Sequence, residues 1–397
     1  MPKCSFLLQL LLLLPLFRAN KLVLISLDGF RWDYLDRDLP LDNLRSLAKS
    51  GIRAKWMTNQ FQTKTFPNHW TLATGLYEEA HGLIGNYFYD VQMNASFTFW
   101  NQSTWRRQHW GGEPIWITNQ NAGFDSAVQF WPGSEQTGQL PTYYRPFEMF
   151  YPFRRRVDNL IRYLKLDRTT LGVMYFEEPD YTGHKYGPDS VELDAKLIEL
   201  DEVIGYFVEE MKRHALYNDT NIIITSDHGM GRFEMDKIVD VPSTLHKMID
   251  FKRSRFSRMT GLIYPKSVHL YGELKLLEQK EPALNVWRKS DIPSRLHFRH
   301  NRRIPPIVLT VNQPWSLKVK KRVRPVRGDH GWMFNESGSS DMFPIFVARG
   351  PSIKKTPTPL DPIENVSVYP LCCKLLNLHP APNNGSLTYL SQFLKFT

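Results

Sequence analysis

The sequence predicts an α/β fold whose mainly parallel central sheet is covered by helices on both faces. Three observations lead there. Apolar, β-branched runs recur at KLVLISLDGF (21–30), LGVMYFEEPD (171–180) and NIIITSDHGM (221–230), each stopping at acidic or histidine residues. Amphipathic segments at helical spacing lie between them. A chain of 397 residues can bury a core of that size.

Residues 1–20, MPKCSFLLQLLLLLPLFRAN, read as a secretory signal peptide. One early Lys precedes an apolar run too short for a comfortable membrane span, and cleavage is expected near Ala19. No later stretch reaches membrane length, so a secreted, extracellular protein without a transmembrane segment is expected. Acceptor sequons at Asn94, Asn101, Asn218, Asn335, Asn365 and Asn384 fit that route. Cys4 falls in the leader, leaving Cys372 and Cys373. Neighbouring Cα atoms lie about 3.8 Å apart, shorter than a relaxed disulfide prefers, so two buried thiols are expected.

The first strand ends at Asp28-Gly29. In TKTFPNHWTLATG (63–75), Thr65 stands where a helix cap belongs and Pro67 follows. The positive field at a helix N-terminus also attracts phosphate, which makes the Thr65 hydroxyl a candidate nucleophile as well as a cap. RRRVDNLIRYLKL (154–166) is an amphipathic helix. VELDAKLIELDEVIGYFVEEMKRH (191–214) is another, with Leu193, Leu197, Leu200, Ile204, Phe207 and Met211 on one face. The Pro- and Arg-rich stretch 290–330 reads as a surface excursion. Residues 21–397 are expected to form one domain.

The formal charge is +10, and Lys3 and Arg18 lie in the leader. Much of the excess sits in KRSRFSR (252–258) and KVKKRVRPVR (318–327). These runs read either as solvated loops or as attractors of an anionic substrate or acidic polysaccharide surface. No finger, basic zipper or repeated aromatic-basic module is present, so specific nucleic-acid binding is not expected.

Six candidate ligands cluster at strand ends or in Gly-flanked motifs. Asp28 follows the first strand, and Asp180 and His184 share the D-x-x-x-H spacing of DYTGH, one face of a helix. Asp227 and His228 adjoin in SDHG, and His330 lies in GDHG. Singly, such residues cap turns. Together, oxygen and imidazole donors without thiolates suit zinc or a similar divalent metal. With Thr65 they are enough for two sites. Two ions about 4 Å apart clamp the attacking and leaving oxygens of a displacement at phosphorus, and one of them activates a hydroxyl.

SLDGFRWDYL, TKTFPNHWTLATGLYEEAHGLIGN, FWPGS, EPDYTGHKYGP, SDHGM and GDHG resemble, in order, the ectonucleotide pyrophosphatase/phosphodiesterase family of the alkaline phosphatase superfamily. The resemblance spans about residues 21–390, and the chain closely resembles the short members that lack somatomedin-B-like and nuclease-like domains. It implies an alkaline-phosphatase-like fold and a single phosphodiesterase catalytic domain with an insertion loop at about 130–150. It implies that Thr65 attacks phosphorus to form a covalent nucleotidyl-threonine, releasing nucleoside 5'-monophosphates from extracellular nucleotides. Asp28, Thr65, Asp227 and His228 would hold one Zn2+, and Asp180, His184 and His330 the other. Asn86, with the Phe66 backbone N–H, would bind a phosphoryl oxygen. Tyr144 and Phe66 would face the two sides of a base, with ATP, dinucleoside polyphosphates and NAD as candidate substrates for a monomeric enzyme. Disulfides common in the family have no cysteines here. The alternatives are a choline-phosphate or lysophospholipid phosphodiesterase, and a catalytically silent secreted binding protein.

Overall fold

In the computed structural model, which describes residues 20–135, 138, 140–320, 325–333 and 340–395, Lys21–Leu27 (β1) is the centre of a seven-stranded sheet. The other strands are Ile52–Arg53 (β2), Asp125–Gln129 (β3), Tyr143–Arg145 (β4), Thr169–Phe176 (β5), Thr220–Thr225 (β6) and Phe346–Arg349 (β7). Their order is β2-β7-β6-β1-β5-β3-β4. All neighbours are parallel except β7, which runs antiparallel to β6 and β2. The expected leader before Asn20 and the sequon at Asn335 lie outside the described residues.

Alternation along β1 splits the core in two. Leu22 and Leu24 face Asp42–Lys49's opposite side of the sheet, where Thr65–Thr74 (α2), Ile115–Asn121 (α3) and Val368–Leu376 (α8) pack. Val23, Ile25 and Leu27 face Asp42–Lys49 (α1), Phe153–Leu164 (α4) and Val191–Arg213 (α6). Both faces are therefore covered, which is why β1, β5 and β6 are buried throughout. The long helix α6 starts cleanly because Ser190 Oγ accepts the Leu193 N–H at 3.2 Å, with Glu192 and Asp194 in its first turn. Cys372 and Cys373 are free and buried in α8, as expected. Among the described residues no helix is long and apolar enough to cross a membrane.

A second lobe has its own core. Arg255–Phe256, Thr260–Ile263, Ile307–Val311 and Leu284–Arg288 form, in that spatial order, an antiparallel sheet, with Leu270–Lys280 (α7) beside it. Here the reading of 290–330 as a surface excursion fails. Ile307–Val311 is buried along its whole length and pairs with strands on both sides.

One buried ion pair ties the sheet to the loop that follows β5. Arg156 of α4 is fully buried and donates to both Glu177 carboxylate oxygens at 2.6 and 2.9 Å, and to the Tyr175 carbonyl at 2.9 Å. Arg156→Ala would leave the Glu177 carboxylate buried and unpaired. We expect urea titration to show a loss of about 3–5 kcal/mol, and a loss below about 1 kcal/mol would contradict this account.

Candidate active site

The register of the sheet brings the ligand-bearing loops together. Leu22–Leu27 pair with Leu171–Phe176, and Lys21–Ser26 with Thr220–Thr225, so three parallel strands end at one level. Asp28 follows β1, Asp227 follows β6, and Asp180 opens the helix Asp180–Tyr186 (α5) just beyond β5. The Asp180 N–H donates to the Asp28 carbonyl at 2.9 Å. Gly29 permits this approach: its φ is +71°, and a Cβ there would lie 2.9 Å from Asp180 Cβ.

Every metal ligand expected from the sequence arrives at this place. His184 Nε2 lies 3.4 Å from Asp180 Oδ2, as one helical turn dictates, and His330 Nε2 lies 3.6 Å from Asp180 Oδ1. His228 Nε2 lies 3.0 Å from Asp227 Oδ2 and 3.4 Å from Asp28 Oδ1. Each histidine has its Nδ1 beside a backbone carbonyl: Gly328 for His184, Gly229 for His228 and Thr63 for His330, at 2.9, 2.9 and 2.6 Å. Those bonds assign the Nδ1–H tautomer and leave all three Nε2 lone pairs facing the carboxylates.

The electrostatics ask for a cation. Burial, then repulsion from Asp227 and Asp180, pushes the Asp28 carboxyl well above its ordinary range. Burial also raises Asp180. At Asp227 burial acts in the same sense, but His228 and His69 outweigh it and hold that carboxyl low. Asp28 Oδ1, Asp180 Oδ1 and Asp227 Oδ2 are buried without a hydrogen-bond partner among the described residues. Three orphaned carboxylate oxygens beside three imidazole lone pairs fit a divalent metal, and groups of these side chains hold their donor atoms within 4.8 Å of one another.

Thr65 stands in a different position from the one its sequence suggests. Lys64 takes the N-cap position, with φ −121° and ψ 150°, and Thr65 is the first residue of α2. Its side chain therefore caps nothing, and Oγ1 lies 3.4 Å from His228 Nε2. The approach to it is fixed by amides. Asn68 Oδ1 accepts the Gln60 N–H at 2.8 Å, and Asn68 Nδ2 donates to the Gln62 and Lys64 carbonyls at 3.0 Å. Asn365 completes this network, donating to Asn68 Oδ1 at 2.9 Å and accepting from Gln60 Nε2 at 2.7 Å. That corrects the reading of Asn365 as a glycan acceptor, since the side chain is fully buried and bonded at both ends. Asn94, Asn101, Asn218 and Asn384 are exposed.

Asn86 borders the site, but its Oδ1 accepts the Phe66 N–H at 3.0 Å. The Phe66 amide thus orients Asn86 and is not free for a ligand, while Asn86 Nδ2 has no partner among the described residues. The Phe66 ring is 8% exposed and packs against Phe97, Phe99, Trp105 and Trp110. Tyr144 is exposed on the outer strand β4.

Three contributors escaped the sequence. Tyr175 donates to Asp28 Oδ2 at 2.6 Å. His69, four residues past Thr65, has Nδ1 2.9 Å from the Thr65 carbonyl and Nε2 2.9 Å from Ser26 Oγ, so both nitrogens are taken. Its i, i+4 spacing from Thr65 was a usable signal. Asp329 is buried: burial pushes its carboxyl up, but Lys64 and Arg258 outweigh that and hold it low. From His184, His330 and Asn86 a cavity of about 580 Å³ opens toward Arg255, Arg258 and Lys320.

Comparison with known proteins shows the family. A family model described as Type I phosphodiesterase / nucleotide pyrophosphatase matches residues 22–333. The chain is 35% identical to ectonucleotide pyrophosphatase/phosphodiesterase family member 5 of Homo sapiens, over 94% of this chain and 78% of that protein. It is 36% identical to bis(5'-adenosyl)-triphosphatase ENPP4 of Bos taurus, over 92% and 80%. Venom phosphodiesterase 2 of Crotalus adamanteus is 36% identical over 96% of this chain, which spans 48% of that longer protein. The structure of murine ectonucleotide pyrophosphatase/phosphodiesterase 5, an inactive threonine-to-alanine form in complex with AMP, superposes with TM-score 0.87 at 34% identity, covering 95% of this chain and 100% of that one. The alkaline-phosphatase-like fold expected from the sequence is thus the observed one. Its strand-end carboxylates, its matched length and its relatives agree: the chain belongs to the type I phosphodiesterase/nucleotide pyrophosphatase family, metal-dependent hydrolases acting on phosphodiester and diphosphate bonds.

Proposed function

We propose that residues 21–397 form one secreted catalytic domain that hydrolyses extracellular nucleotides to nucleoside 5'-monophosphates through a covalent nucleotidyl-threonine. The observation that carries this reading is a threonine hydroxyl released from capping and set 3.4 Å from His228, beside three orphaned carboxylate oxygens. Asp28, Thr65, Asp227 and His228 would hold one ion, and Asp180, His184 and His330 a second, with Zn2+ the best match to these donors. When bound, such ions stabilise charge on phosphoryl oxygens and favour the ionised forms of hydroxyl and water.

Thr65 gives up its hydroxyl proton and Oγ1 bonds to phosphorus as the bond to the departing oxygen breaks, that oxygen leaving with the electron pair and taking up a proton. Water then attacks the ester: its oxygen stays on phosphorus and a proton returns to Thr65 Oγ. Asn86, oriented by the Phe66 amide, offers Nδ2 to a phosphoryl oxygen as charge develops there. The exposed Tyr144 ring offers a face to a base, and the buried Phe66 ring supports the floor of the site. The leader and the four exposed sequons support an extracellular, glycosylated enzyme. A wall containing Arg255, Arg258 and Lys320 is a poor seat for a trimethylammonium group, which favours nucleotides over choline esters.

Thr65→Ala should abolish hydrolysis of p-nitrophenyl thymidine monophosphate while its thermal melt stays near that of the wild type, and retained turnover would remove Thr65 from this role. Dialysis against a chelator should silence the enzyme and zinc should restore it; activity that survives with no metal detectable by atomic absorption would contradict the assignment. Tyr144→Ala should raise KM for nucleotides more than for a base-free diester. Equal changes for both would reduce Tyr144 to a packing residue.

A further inference from the structure

The cavity beside the site is walled by four cations, Lys64, Arg255, Arg258 and Lys320, against one carboxylate, Asp329. Asp329 is already engaged: Arg258 pairs with it and Lys64 Nζ lies 4.0 Å away. Lys320 rests its ammonium 3.5 Å above the Phe251 ring. Arg255 is different. Its Nη1 donates to the carbonyls of Lys252 and Ser254 at 3.0 and 2.8 Å, and its Nη2 donates to Ser96 Oγ. The groups that act on its charge are burial and the Tyr89 and Tyr264 hydroxyls, and no carboxylate pairs with it among the described residues. A guanidinium carries five N–H donors. Among the described residues Nε–H has no partner and Nη2 keeps a second N–H, so the guanidinium retains donors for phosphate oxygens.

The same cavity is bordered by His184 and His330, and Tyr144 is not among its walls. A substrate whose base lies on Tyr144 and whose phosphorus meets Thr65 would place its remaining half here. We propose that Arg255 reads charge on the departing half of the substrate: its remaining N–H donors bind phosphate oxygens beyond the scissile bond, so the cavity selects leaving groups that carry phosphate over neutral or phenolic ones. This rests on the phosphodiesterase reading above and adds the residue that sets leaving-group preference.

The test compares the wild-type enzyme with Arg255→Ala and Arg255→Lys on two substrates. ATP departs as pyrophosphate, and p-nitrophenyl thymidine monophosphate departs as a phenol. The ratio of kcat/KM for ATP to that for the phenyl ester should fall about 10- to 100-fold in Arg255→Ala. Arg255→Lys, which keeps the charge and loses the planar fork, should fall between. If Arg255→Ala melts early through loss of the Ser96 tie, the Lys variant carries the test. A ratio equal to the wild-type value in the folded variants would overturn the subsite. Wild-type enzyme inactive on both substrates would instead overturn the reaction, and the subsite with it.

Discussion

Three carboxylates withdrawn from water and pointed at one another are the constraint on which everything else in this molecule depends. Asp28, Asp180 and Asp227 each keep one oxygen without a hydrogen-bond partner among the described residues. Like charges so placed cannot all ionise without compensating positive charge. The three imidazoles turn Nδ1 to backbone carbonyls and Nε2 to the carboxylates, a donor set that a cation completes. The cluster thus fits a bound cation, and the sheet register is what holds the three carboxylates together.

The support around the cluster is made of polar side chains doing work that backbone cannot. Tyr175 fixes one oxygen of Asp28. Asn68 and Asn365 lash the loop from Gln60 to Lys64 to the start of α2. His69 bridges that helix to β1 through Ser26. Buried hydrogen-bond networks of this kind rigidify, and here they hold the loop and the helix start that carry Thr65. Because Lys64 occupies the cap, the Thr65 hydroxyl has no competing duty in its own helix.

Much of this was legible in the sequence, for a local reason. An apolar run ending in Asp-Gly, or in Ser-Asp-His-Gly, announces both a buried strand and what stands at its end, so β1, β5, β6 and six candidate ligand positions could be read without a structure. Asp180 and His184 needed only the period of a helix. What stayed hidden is decided by distant neighbours. Thr65 looks like a cap until the entry angle of the chain is known. Ile307–Val311 is a plain buried strand, but the prolines and arginines around it masked it when the whole stretch was read together. Tyr175 meets Asp28 across 147 positions, and nothing near either residue signals the contact. The burial of Phe66 was hidden for a similar reason: four aromatic rings from later in the chain close over it.

The amide of Asn365 has a consequence beyond the loop it supports. Asn-Val-Ser has the acceptor pattern, and a glycan is bulky and needs a surface position. In the native molecule that same nitrogen is a fully occluded strut beneath the threonine's loop. A glycan and native closure exclude each other at this one asparagine, so a chain bearing one there could not close the loop as the structure has it.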